Sequence, residues 1–196
     1  MTPKQADRLR KKITDIRRVL ATEKRKFGGY DDSRGLRYFP TKYYLQLNDF
    51  AGGLTYTRWF AKNFPDDAGF PDFLFEWLVI LFKNGKTKEA EQKAIETFCL
   101  DIHLFNSFLG RPQAVSEPWE DEHTTEDSTA QYFGSFGTQI SLSDFAEWLT
   151  GFMATDRFLA SADKYIDLRR QLHVEHDLEQ RRHIVAQLGE IAHTTC

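Results

Sequence analysis

The run Tyr43-Tyr44-Leu45-Gln46-Leu47-Asn48-Asp49-Phe50-Ala51-Gly52-Gly53-Leu54 decides the fold. Apolar side chains recur at helical spacing on both sides of Asn48-Asp49, two residues that stop helices and tolerate left-handed backbone. The run therefore reads as the end of one helix, a tight turn and the start of an antiparallel partner. Working outward, the spacing predicts helices over 41–47, 50–63, 71–83 and 86–98, separated by Asn48-Asp49, the stretch Pro65-Asp66-Asp67-Ala68-Gly69, and Asn84-Gly85. These are two helical hairpins in succession, and the first break recurs at Gly85-Lys86, an offset of 37 residues. A short helix over 102–109 follows, closed by Gly110-Arg111-Pro112. Nothing alternates with period two for long enough to make a sheet, so the expected class is all-α.

With Tyr56 and the closing Phe64-Pro65-Asp66-Asp67, the first segment resembles the first helix end, turn, second helix and terminal proline of a tetratricopeptide unit. Trp77-Leu78, Leu81, Lys83-Asn84-Gly85-Lys86 and Glu89-Ala90 resemble the next unit. Small residues at Gly53 and Ala90 allow close helix approach, while Tyr44 and Leu81 fill the space between helices. The resemblance covers residues 36–102. It departs at Pro40, where the first helix of the unit should already be running, at Ile102, which replaces the second terminal proline, and at Thr57, where a large aromatic is usual. It implies stacked antiparallel hairpins with capping helices at both ends, and a concave face that holds a peptide or helix of a partner protein. By register, the resemblance places Tyr38, Lys42, Leu45, Gln46, Phe75, Val79, Phe82 and Lys83 on that face. The aromatic members serve equally well as core if the helices after Leu109 close over it.

The flanks differ in charge. Leu9, Ile13, Ile16 and Leu20 form the stripe of an amphipathic first helix, ended by Gly28-Gly29. Between Met1 and Lys26 ten Lys or Arg face three acids, a local charge of +7, whereas Ser116 to Asp127 carries six acids and no Lys or Arg. Residues 113–139 read as a long acidic loop. Helices resume at Ser141 or Ser143, with an apolar face of Leu142, Phe145, Trp148, Leu149 and Phe152, and a long segment capped by Thr155 or Asp156 runs to His193 with one break at most. The expected organisation is a basic helix and connection over 1–35, hairpins over 36–112, the acidic loop over 113–140 and C-terminal helices over 141–196.

The 196 residues suit one substantial domain, and a formal charge of −3 gives no general reason for nucleic acid or an anionic membrane as partner. Two cysteines, Cys99 in an apolar stretch and Cys196, are poor material for disulfides and point to a reducing compartment, the cytoplasm. The most apolar run, 73–82, contains Glu76 and is too short for a bilayer.

For chemistry, His176, Glu179 and His183 stand at i, i+3 and i+7 on one helical face, within reach of one metal ion, the arrangement a metal-dependent hydrolase would need. Against this, their Arg neighbours suggest a solvated ion-paired face. The acids Glu117, Glu120, Asp121, Glu122, Glu126 and Asp127 lack the glycine-centred loop of a calcium site, and are expected to dock on the basic helix. Cys99 with His103 one turn later has the spacing of a nucleophile and base, but its apolar neighbours mark a core cysteine. No phosphate loop or nucleophile elbow occurs. The expectation is a protein-binding module without enzymatic activity, metal or cofactor: an adaptor, chaperone or immunity-type inhibitor, with self-association covering exposed aromatics. The alternative is nucleic-acid binding through the basic helix.

Overall fold

Thr2 starts the first helix. Its hydroxyl accepts the Gln5 N–H at 3.3 Å while the Gln5 side chain accepts the Thr2 N–H at 2.8 Å, a reciprocal capping box. Pro3, in the first turn, has no N–H to leave unsatisfied. The resulting helix, α1 (Pro3–Phe27), ends where Gly28 takes the left-handed conformation at φ 74° and donates its N–H to the Lys24 carbonyl. The structure, a computed structural model, describes residues 1–30, 32–112, 116–119 and 141–193. Every regular element among them is helical, so the chain is all-α.

After a 3-10 turn (Leu36–Tyr38) come α2 (Phe39–Gln46), α3 (Phe50–Asn63), α4 (Pro71–Lys83), α5 (Thr87–Leu100), α6 (Leu104–Phe108), α7 (Ser143–Met153), α8 (Asp156–Val174) and α9 (Leu178–His193). Chain contacts divide these into two compact units that meet in sequence between Gly85 and Lys86. No helix among the described residues is long and apolar enough to cross a membrane.

In the first unit, α2, α3 and α4 pack on one another and α1 lies along α2 and the 3-10 turn. The turn between α2 and α3 is tight because Asn48 adopts φ 53° and the Asp49 carboxylate accepts the Gly52 N–H at 2.9 Å. At Gly53 a Cβ would come within 2.9 Å of Ile80 Cδ1 and 3.3 Å of Tyr44 Cβ, so α3 approaches both neighbours at a distance only glycine allows. Asn84 reinforces the arrangement by donating to the Phe50 carbonyl at 2.8 Å. The core combines Ile13 with Tyr44 and Tyr56, and Phe60 with Phe73 and Leu74.

In the second unit α5, α8 and α9 pack together, with α7 against α8. Phe158 is ringed by Phe98, Phe105 and Phe152 at centroid distances of 5.3 to 6.4 Å. Arg157 joins α8 to α5 through Glu91 at 2.8 Å, and the Tyr165 hydroxyl donates to the Cys99 carbonyl.

The element order agrees closely with expectation, and two boundaries follow from local chemistry. Helix α2 starts two residues earlier than expected, directly after the 3-10 turn Leu36–Tyr38, and Pro40 falls in its first turn, where proline is tolerated. The long C-terminal segment breaks at residues 175–177. There the Glu175 carboxylate accepts the N–H groups of His176 and Asp177, and Asp177 caps α9 through the Gln180 N–H at 2.9 Å.

Candidate functional site

The connection after α1 is fixed by charge. The Asp32 carboxylate, almost wholly buried, accepts the N–H groups of Leu36 and Arg37 at 2.8 Å each and so holds the 3-10 turn by its first residues. Arg37 returns to Asp32 at 3.2 Å and reaches Asp67, in the α3–α4 connection, at 2.7 Å. The Tyr38 hydroxyl donates to the same Asp67 carboxylate at 2.7 Å and accepts from Arg37 at 2.7 Å. The buried Tyr56 donates to the Arg37 carbonyl at 2.6 Å. Arg37 also stacks 4.4 Å from the Tyr38 ring centroid.

Burial works to raise the Asp67 carboxyl, but the hydrogen bonds from Tyr38, Arg37 and the Gly69 N–H, with the Arg37 charge, outweigh it and hold the group below the usual carboxylate range. Burial, then Asp67, pushes the Tyr38 phenol up to about 12. Both effects keep Asp67 charged and Tyr38 a neutral donor at neutral pH.

This clamp sets one wall of an open cleft of about 560 Å³. The Tyr38 ring meets Phe70 edge-on at 4.9 Å and Phe73 at 5.1 Å. Phe39 and Phe70, which are 47% and 56% exposed, stand at its mouth with Arg34, Lys42 and Asp72. Glu76, only 3% exposed, contributes to the lining. Its Oε2 lies 2.5 Å from the Thr41 hydroxyl, which also sits 2.9 Å from the Tyr38 carbonyl. Apolar walls with a few fixed polar groups, at a volume in the usual range for ligand sites, are what a binding site requires.

Of the residues expected to face a partner, Tyr38 and Lys42 line this cleft. Gln46, Phe82 and Lys83 are half-buried outside its lining, with Lys83 over the Phe50 ring. Leu45, Phe75 and Val79 are 0% exposed and are core, which corrects their placement on a partner-facing surface. The register of the repeat pattern cannot distinguish the two settings, since a core position and a groove position are both apolar. Missed by sequence reasoning were Phe39, Phe70 and Glu76. A signal existed: Phe39-Pro40 and Phe70-Pro71 are the same dipeptide, and a proline favoured in a first turn marks each phenylalanine as lying at the start of a helix.

The other candidates come apart. His176 lies in the break between α8 and α9, so His176, Glu179 and His183 do not share one helical face, and Glu179 pairs with Arg182 at 2.8 Å. No group of three His, Cys, Asp or Glu among the described residues is placed to hold a metal ion. Cys99 is buried and its thiol is pushed up to about 12 by burial and by Glu96, the opposite of an activated nucleophile. The acidic run from Glu120 to Asp127 lies outside the described residues. Glu117 bridges to Arg170 of α8 at 2.6 Å. Comparison with family models, with curated proteins and with solved structures finds no match.

Proposed function

We propose that the chain is a non-enzymatic protein-binding module, an adaptor, chaperone or inhibitor, that holds a peptide segment of a partner in the cleft between the start of α2 and the start of α4. The observation that carries this reading is the pair of exposed rings, Phe39 and Phe70, beside an open aromatic-walled cleft. Two large rings left in water next to a concavity form the kind of apolar patch that marks an interaction site, and aromatic anchors dominate binding energy where they become buried. The clamp of Asp32, Arg37 and Asp67 fixes the Tyr38 wall in advance, so little ordering cost falls on binding.

The tight α2–α3 hairpin, with Gly53 against Tyr44 and Ile80, supports kinship with tetratricopeptide hairpins. A buried Cys99 thiol accords with a reducing, cytoplasmic setting.

The test is selection of peptides from a displayed random library against the intact protein, followed by calorimetric titration of the selected peptides. Phe39→Ser with Phe70→Ser should weaken binding at least tenfold, at about 1.4 kcal/mol per decade, with an unchanged circular dichroism spectrum. Equal affinity for the double variant would remove the cleft from consideration.

A further inference from the structure

Helix α1 carries a second surface, chemically unlike the cleft. Lys4, Arg8, Lys11, Arg18 and Arg25 are exposed and follow one another at spacings of four, three, seven and seven residues, which is a single face of a helix. Ile13 and Leu20, the two buried residues of α1, lie two positions beyond Lys11 and Arg18, roughly 200° around the axis. The basic stripe therefore points away from the side that packs. Over 21 residues it is about 32 Å long.

The cations divide by task. Lys12 and Lys24 fold back over the rings of Tyr43 and Tyr30. Arg10 and Arg18 neutralise Asp7 and Asp15 within the helix. Among the described residues, the side chains of Lys4, Arg8, Lys11 and Lys26 make no hydrogen bond, ion pair or ring contact.

We infer that this stripe of α1 is a docking surface for the phosphodiester backbone of a nucleic acid. Long and open, with Lys4, Arg8, Lys11 and Arg25 in no ion pair among the described residues, it matches a line of phosphates. A membrane fits it less well, because α1 turns its apolar face to the rest of the first unit and the stripe itself, completed by Asp15 and Thr22, has no large apolar side chain to insert. The whole chain carries −3 and its first 26 residues +7, leaving −10 elsewhere. The chain's excess of positive charge is therefore concentrated in α1.

The experiment uses the full chain and a fluorescent mixed-sequence duplex of about 20 base pairs, long enough to cover many phosphate contacts, with anisotropy read as salt rises from about 50 to 200 mM. Engagement of roughly four phosphates gives a slope of log affinity on log salt near −3.6. Lys4→Gln with Arg8→Gln and Lys11→Gln should lose at least tenfold in affinity and flatten that slope by roughly 2.7, with an unchanged melting temperature. Lys4→Arg with Arg8→Lys and Lys11→Arg, which keeps the charge, should bind as the parent does. The inference is overturned by no binding at the lowest salt, by binding that ignores the neutral variant, by binding to phosphatidylserine vesicles alone, or by a sedimentation result in which the stripe drives only self-association.

Discussion

At the scale of single residues, Asp67 and Tyr38 tie stability to pH in opposite directions. The folded state holds the Asp67 carboxyl below its ordinary value, so the stabilisation is complete above the unfolded value of about 3.9 and is lost as pH falls through the folded one. Asp67→Asn leaves the half-buried Tyr38 without its charged acceptor and Arg37 with Asp32 alone, and should cost about 1–3 kcal/mol at neutral pH. Its deficit against the parent should shrink below about pH 4, as followed by urea unfolding across the acid range. Tyr38 responds at the other end. Its folded value of about 12 exceeds the unfolded value of about 10, so its contribution is full below about pH 10 and disappears as pH rises toward 12. Tyr38→Phe should abolish that part of the alkaline loss, and a variant whose alkaline limb is as steep as the parent's would show that Tyr38 does not titrate with unfolding.

At the scale of elements, two glycines in helix interiors make opposite predictions because one touches a neighbour and the other touches nothing. Gly53→Val drives a branched side chain into Ile80 and Tyr44 and should destabilise by about 1–3 kcal/mol. Gly151→Ala meets no atom within 4 Å on an exposed face of α7 and should stabilise by about 0.5–1 kcal/mol through helix propensity alone. Thermal unfolding of the two variants decides both. The same contrast explains which boundaries could be read from the sequence. Helix α4 begins at Pro71 and ends before Asn84-Gly85, residues whose backbone chemistry is local, so its limits were legible. The break between α8 and α9 has no glycine or proline. It arises from Glu175 and Asp177 capping backbone N–H groups, a use of acidic side chains that competes with equally good helical roles and leaves no distinct mark.

At the scale of the whole molecule, the class and order of the helices were legible because they follow from spacing, whereas the cleft was only half legible because it depends on burial. Tyr38 and Lys42 were found, while Phe75 and Val79, indistinguishable from them in register, proved to be core. Burial also yields a test of the second unit. Cys99 is 9% exposed and burial pushes its thiol up to about 12, so in a Cys196→Ser background it should react with a disulfide reagent at neutral pH only through opening of the fold. Labelling should then be slow without urea and approach that of a free thiol across the unfolding transition. Phe158→Ala removes the ring packed by Phe98, Phe105 and Phe152, at a cost of about 3–5 kcal/mol. It should speed native labelling by roughly two to three and a half decades, each decade being about 1.4 kcal/mol. A Cys99 that reacts in the parent as fast as a free thiol, or a rate untouched by Phe158→Ala, would show that α5 and α8 do not enclose this thiol in a common core.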